Sequence, residues 1–355
     1  MKHKKEKVII AMSGGVDSSV TAKLLVDQGY KVAAIFLHFW KEPGGSENKC
    51  CSLSALMDAR MVCNLLGIKL YTLNFKTEFK KQVVDNFITE YALGRTPNPC
   101  VICNRKVKLG LLIQHARKLG FDYVASGHYA QIKKSRGGCT LHQGIDNTKD
   151  QSYFLYRLTQ DQLSHLMFPL GKYKKTKVRT LAKKFKLPVA EKRESQEICF
   201  VSAKSHNDFL KKHLSLKPGK IMDLDNNIIG EHQGLPLYTI GQRKGIEIGG
   251  TGPYYAVSMD YKKNILYVSK KKDDPRLYTD NLIIKDIHWI NKEPKLPLKC
   301  HAVIRYGHKP VNITITKKNS KYEAKLAQKA RAITPGQSIV LYKGKQVLGG
   351  GFISI

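Results

Sequence analysis

Residues 8–29 read VIIAMSGGVDSSVTAKLLVDQG, and no other stretch constrains the fold as much. The apolar run from Val8 to Met12 predicts a buried strand. Ser13-Gly14-Gly15-Val16-Asp17-Ser18 follows, and an amphipathic pattern predicts a helix from about Ser19. Two glycines permit a tight turn that points several backbone N–H groups and a helix N-terminus at one anion. Ser13, Ser18 and Ser19 add hydroxyl donors, and Asp17 can hold magnesium against phosphate. A Walker loop is excluded, because it needs G-x-x-x-x-G-K-[ST]. A plain serine–glycine turn is the competing reading, but the strand before and the helix after both favour the anion site.

The first 130 residues alternate strand and helix. VAAIFLHF (32–39) reads as a strand, 51–67 as a helix closed by Gly67, 69–75 as a strand and 77–94 as a helix. Next come the two-proline loop RTPNPCVICN, a helix over 108–120 and the strand YVASGHYAQI (123–132). Such alternation predicts an α/β fold with a doubly wound parallel sheet, whose ligands bind at the carboxyl ends of the strands. The phosphate loop, Leu37, the Cys100–Cys103 loop and Gly127-His128 all fall at such ends, which predicts one site. Residues 133–147 read as a hairpin, and 159–169, 173–187 and 203–213 as helices. From Pro218 onward short strands and glycine turns take over, and from about 280 the pattern is β throughout, predicting a small barrel. Boundaries near 202 and 279 divide the chain into 1–202, 203–279 and 280–355.

Lys+Arg number 61 against 28 Asp+Glu in 355 residues, a formal charge of +33. A field of that sign attracts polyphosphates and nucleic acid. Evenly spread, solvated lysines would give the same count, and the basic run 172–193 carries both readings. No apolar run approaches the roughly 18–20 residues of a membrane helix, and the basic start with its short apolar run is not a signal peptide. A cytosolic monomer is expected. The eight cysteines then argue for chemistry rather than a disulfide framework. Cys100 and Cys103 form C-x-x-C, Cys199 sits in ESQEICF, and Cys50-Cys51 are adjacent; Cys63, Cys139 and Cys300 lie in core-like surroundings. A thiolate can carry sulfane sulfur as a persulfide. Zinc is disfavoured by the spacing, an iron–sulfur cluster on Cys100, Cys103 and Cys199 stays open, and inert thiols are disfavoured by the prolines beside Cys100, which predict a loop.

The phosphate loop resembles the S-G-G-x-D-S loop of ATP pyrophosphatases, a fold of the adenine nucleotide α-hydrolase-like type. With GRTPNPCVICNRKVKLG (94–110), SGHYAQI (126–132), KDQSYFLYRL (149–158), ESQEICFV (194–201) and GQRKG (241–245), the chain resembles the bacterial tRNA-uridine 2-sulfurtransferases from residue 8 to its end. The resemblance implies a nucleotide-hydrolase domain, a small central domain and a C-terminal β-barrel. It also implies ATP-dependent conversion of the tRNA wobble uridine to 2-thiouridine, with release of AMP and pyrophosphate. ATP would be bound by Ala11, Met12, Ser13, Gly14, Gly15, Val16, Asp17, Ser18, Leu37 and Gly127, and magnesium would arrive with it at Asp17.

By the same resemblance the nucleophile is Cys103 and the persulfide carrier Cys199, a pair able to form a transient disulfide. Asn98, Pro99 and Cys100 would meet the target base. Lys149, Asp150, Gln151, Arg305 and Tyr306 (on a barrel strand), Gln337 and His128 would meet tRNA; a core histidine is the competing reading for His128. The sulfur donor would be a cysteine desulfurase or a sulfur-relay protein. Two departures stand out: Leu37 replaces the family's methionine, and Cys100 replaces an aspartate that is a candidate acid/base. No role is assigned to GGSENKCC (44–51). Related loop enzymes that amidate or ligate small metabolites, and a non-enzymatic RNA-binding module, are the alternatives.

Overall fold

The computed structural model describes residues 6–43, 51–194, 198–201, 205–246, 248–249 and 252–354. Cys50 and most of the 44–51 segment, along with 195–197 of the SQE motif, lie outside the described residues.

The N-terminal half contributes β1 (Lys7–Ala11), β2 (Lys31–His38), β3 (Leu70–Asn74), β4 (Tyr123–Ala125), β5 (Ala130–Ser135), β6 (Gly138–Gln143) and β7 (Leu166–Met167). Five of these form a sheet in the order β3-β2-β1-β4-β7, with every neighbouring pair parallel. Both faces are covered. Ile9, Ala11, Ala33, Ile35 and Leu37 pack into one core, while Val8, Ile10, Met12, Ala34 and Phe36 pack into another. That is why β1 and β2 read as continuous apolar runs rather than alternating ones. Val8, Ile9 and Ile10 are fully buried, each worth about 1.5–3 kcal/mol of burial.

From β1 the chain winds outward through β2 to β3, then crosses back to β4 on the other side of β1. The winding therefore reverses between β1 and β4, and a crevice opens at their carboxyl ends. Met12–Gly15 leave one strand there and Ser126-Gly127 leave the other.

Several elements differ from expectation. Helix α1 (Val16–Asp27) starts three residues early, with Gly15 as its N-cap. Residues 123–132 do not form one strand: β4 ends at Ala125, and β5 belongs to a hairpin with β6 that pairs, through Leu141 and Val347, with the last strand of the barrel. The 159–169 segment holds only a short helix (Gln160–Ser164) before β7. Cys100 and Cys103 are helical, not in a loop. Asn98 caps a continuous helix over 99–118, accepting from the Cys100 N–H at 3.2 Å, and Pro99 takes the first helical position. Proline is tolerated there because its missing N–H would have had no helical partner. From Cys103 to Leu111 the turns are wide and π-type, a distortion common at functional sites.

Strands β8 (Gly219–Met222), β9 (Ile228–His232), β10 (Tyr255–Asp260) and β11 (Ile265–Ser269) form a small sheet ordered β10-β11-β8-β9. Strands β12 (Tyr278–Trp289), β13 (Leu298–Val303), β14 (Val311–Lys318), β15 (Lys321–Arg331), β16 (Ser338–Lys343) and β17 (Gln346–Ser354) close into a six-stranded antiparallel barrel through β12–β17 pairing. Its core holds Leu282, Ile284, Ile313, Ile315, Ile339 and Leu341. The barrel is fastened to the first half by Tyr153, whose hydroxyl donates to the Ser338 carbonyl at 2.9 Å, and by Gln337, which donates to the Thr96 carbonyl at 2.8 Å.

Candidate active site

The crevice at the winding reversal holds a cavity of about 400 Å³. One wall is the phosphate loop. Gly14 has φ +67°, and a Cβ there would sit 2.1 Å from the Ala55 carbonyl oxygen, so no other residue fits. No side chain caps α1, which leaves its first N–H groups for a ligand. Ser13 is exposed, whereas Ser18 and Ser19 are buried and donate to the Gly15 carbonyl at 3.0 and 2.9 Å. Both hydroxyls brace the loop, and Ser18 also lines the cavity beside Ser13. Ala11, Met12, Val16 and Leu37 add apolar wall. Gly127 lets β4 press against the loop: a Cβ would lie 3.0 Å from both the backbone carbon and the Cβ of Asp17.

The opposite wall comes from the start of the 99–118 helix and from the 198–200 turn. Pro99, Cys100, Cys103, Ile198, Cys199 and Phe200 all line the cavity. Cys100 is exposed; Cys103 and Cys199 are half-buried. Residues nearly a hundred positions apart are thus brought to one space with the phosphate loop. Cys63 and Cys300 are not part of it, and burial pushes both thiols up to about 11; Cys139 is buried too.

Asp17 does not stand alone. Its Oδ1 accepts from the Tyr129 hydroxyl at 2.7 Å, and Lys175 Nζ bonds its two oxygens at 2.7 and 2.8 Å. Lys175 also pairs with Glu194 at 2.9 Å, and Glu194 with Lys149 at 2.8 Å. Burial pushes the Glu194 carboxyl up, but bonds from Lys149 and Lys175 outweigh it and hold it below the usual range. Lys192 donates to the Gly14 carbonyl at 3.0 Å and pairs with Asp58. Asp17 therefore offers magnesium no protein-held site while Lys175 is in place; the ion fits only as part of an incoming nucleotide complex. Among the described residues no three His, Cys, Asp or Glu side chains gather to hold a metal. Cys100, Cys103 and Cys199 line one cavity without grouping as a metal-ligand set among the described residues.

The chain matches three family models end to end: a tRNA methyl transferase HUP domain over 6–203, a tRNA methyl transferase PRC-barrel domain over 207–270 and an aminomethyltransferase beta-barrel domain over 279–353. It is similar to the tRNA-specific 2-thiouridylase MnmA of Klebsiella pneumoniae, 43% identical over 99% of this chain and 98% of that one. It is 44% identical to the protein of that name from Listeria monocytogenes, over 98% and 94%. The chain belongs to the tRNA-specific 2-thiouridylase family. A solved 4-thiouridine synthetase–RNA complex with bound ATP aligns slightly, at 18% identity and TM-score 0.36 over 58% of this chain and 49% of that one.

The remaining positions expected of a 2-thiouridylase fall at different depths. His128 and Gln151 line the cavity. His128 is buried, its Nδ1 lies 2.7 Å from Ser126 Oγ, and burial, aided by Lys108, keeps its pKa well below the ordinary value. Buried and held neutral, it forms part of the cavity wall. Asp150 turns inward and accepts from the Gly144 N–H at 2.9 Å and the Ser152 hydroxyl at 2.8 Å. Arg305 and Tyr306 sit on the turn after β13, not on a strand. Tyr306 packs 4.4 Å from the ring of Phe154, itself a cavity residue.

Sequence reasoning missed Tyr129, Lys175, Lys192 and Glu194. In the basic run 172–193, neither the solvated face nor the RNA-binding reading describes Lys175, Arg179 and Lys192, which turn inward. Arg179 bonds the carbonyls of Ala190 and Lys192 at 2.9 and 2.7 Å. The one signal was Lys175 at a position in phase with the buried Val178 and Ala182.

Proposed function

We propose that this chain converts the wobble uridine of tRNA to 2-thiouridine at the expense of ATP. The observation that carries the reading is the single cavity shared by the phosphate loop and by Cys100, Cys103 and Cys199. Methyl transfer, the wording of two matched family models, calls for neither a phosphate loop nor a cysteine pair. ATP enters with magnesium, its phosphates on the N–H groups of Gly14–Val16 and its adenine beside Leu37 and Gly127. The uridine leaves its stack to reach the cavity, at a cost of a few kcal/mol that phosphate contacts elsewhere offset, and meets Asn98, Pro99 and Cys100. Uracil O2 attacks the α-phosphorus, pyrophosphate leaves, and C2 carries an O–AMP group.

The terminal sulfur of a Cys199 persulfide attacks C2 and AMP departs with the C2–O bond. The Cys103 thiolate then attacks the Cys199 sulfur, the S–S bond to the base breaks, and 2-thiouridine is released. The transferred sulfur is reduced, the two cysteines are oxidised to a disulfide, and a dithiol reductant restores them before the next persulfide arrives from a cysteine desulfurase or relay protein. Lys149, Arg305, Tyr306 and Gln337 are the proposed RNA contacts, with Asp150 acting through its grip on the 144–152 turn. The working division is 1–202 for chemistry, 203–279 as the central domain and 280–355 for RNA contact. The proposed setting is the cytoplasm and the proposed state a monomer; among the described residues no helix is long and apolar enough to cross a membrane.

The test uses persulfide-loaded protein, ATP and unmodified tRNA. Cys199→Ser and Cys103→Ser should each abolish 2-thiouridine, while pyrophosphate release stays RNA-dependent. Full thiolation by Cys199→Ser, or pyrophosphate release without RNA, overturns the proposal.

A further inference from the structure

A second, larger cavity of about 770 Å³ lies on the other side of the 99–118 helix. The first turns of that helix divide the two spaces: Pro99, Cys100, Cys103 and Asn104 face the reaction cavity, while Pro97, Asn98, Ile102 and Arg105 face the second. Its far wall is the barrel, with Lys285, Gly336 and Phe352. The two walls touch closely at Gly336, where a Cβ would lie 2.8 Å from the Arg95 Cβ.

Its charge is one-sided. Arg95, Arg105, Lys106, Arg157 and Lys285 face Glu90 and Asp286, and Glu90 is already taken by Arg95. Arg105 bonds the neutral Gln162 at 2.7 Å, and Arg157 bonds the Asp286 backbone carbonyl at 3.3 Å beneath the Phe352 ring. Among the described residues neither guanidinium has a carboxylate within ion-pair distance. Burial, and then repulsion from Arg157, press the Arg105 guanidinium below its ordinary value. Positive charge held this way without an acid gains from an anion, and the planar guanidinium fork suits phosphate.

We propose that this cavity holds the RNA phosphodiester backbone immediately flanking the target uridine, so that the 97–105 segment stands between the reacting base and its neighbour. The inference rests on the thiolation reading above. RNA fits better than a free nucleotide because the cavity adjoins Asn98, where the target base is placed, and spans two parts of the chain as a continuous strand would. The exposed amide side chains of Asn86 and Gln114 also line the cavity and are free to meet the flanking base.

The experiment measures affinity for an unmodified anticodon stem-loop RNA in which single phosphates around the uridine are replaced by neutral methylphosphonates. Wild type should lose about tenfold at one flanking position. Arg157→Gln should bind the unsubstituted RNA about tenfold more weakly and lose nothing further from that replacement. The exposed pair Lys106→Gln/Lys285→Gln, which disturbs no buried contact, should lower the salt dependence of binding by about 2 in log–log slope, with ATP affinity and Tm unchanged. Wild-type affinity and salt slope in the double variant, or equal methylphosphonate penalties in wild type and Arg157→Gln, overturn the proposal. Failure of the wild-type protein to thiolate the RNA at all would instead overturn the thiolation reading.

Discussion

Lys175→Met keeps the side-chain length and most of its volume while deleting one charge from the centre of the site. Lys175 is buried, and its ammonium lies 2.7–2.9 Å from oxygens of Asp17 and Glu194. Without it, two carboxylates face one shared gap. Removing one partner of a fully buried pair costs about 3–5 kcal/mol, and an exposed pair is worth less than about 1 kcal/mol. The carboxylate side chains are 32% and 29% exposed, so screening places the expected loss near 2 kcal/mol. For a domain the size of residues 6–203 that corresponds to a Tm lowered by about 4–8 °C. The pH dependence follows from Glu194, whose carboxyl is held below the usual range despite its burial. Its contribution is complete above the unfolded carboxyl pKa of about 4.3 and is lost as pH falls through the lower folded value. Scanning calorimetry of wild type, Lys175→Met and Lys175→Arg at pH 7.5 and at steps down to pH 3 measures the effect. The Met deficit should be constant from pH 7.5 to about 5 and narrow as pH falls below about 4 towards 3, with Arg recovering part of it. Equal Tm values at pH 7.5, or a deficit undiminished at pH 3, would refute an electrostatic role.

Gly127→Ala places a methyl 3.0 Å from Asp17; crowding of that kind costs about 1–3 kcal/mol, and calorimetric titration should show ATP binding weakened at least tenfold with the fold retained by circular dichroism. His128 stays neutral in the native state because burial, with Lys108 adding to it, depresses its pKa. The unfolded chain alone then takes up that proton below pH 6.5, and stability falls with acidification by up to about 1.4 kcal/mol per pH unit. His128→Gln should flatten that slope in urea titrations between pH 5 and 7, and an unchanged slope would refute it. Iodoacetamide at pH 7.5 should label the exposed Cys100 in native protein and spare Cys63 and Cys300, whose thiols burial pushes up to about 11; peptide mass spectrometry reads the outcome, and early labelling of Cys63 contradicts it.

The parallel sheet was legible because β1 and β2 are buried on both faces, and two-faced burial writes an unbroken apolar run into the sequence. The cysteine-bearing segment misleads for a specific reason. Proline signals a loop from the chain's view, yet at the first helical position it costs nothing, and only the Asn98 bond to the Cys100 N–H distinguishes the two outcomes. Residues 123–132 look like one strand because Tyr123-Val124-Ala125 and Tyr129-Ala130-Gln131-Ile132 both carry strand-forming residues and only three residues separate them. The break there is imposed by tertiary structure: Gly127 must abut Asp17, and Ala130 must start the hairpin that reaches the barrel. Lys175 carries only one weak local signal, its phase with Val178 and Ala182. A lysine in a basic run reads as solvent-facing, and its burial follows only once Asp17 and Glu194, 158 residues and 19 residues away along the chain, are folded onto the same ammonium. Loop geometry is thus written in contiguous residues, whereas the charge balance behind the loop is assembled from distant ones. That asymmetry is why the phosphate-binding motif could be read in the sequence before folding and its supporting lysine could not.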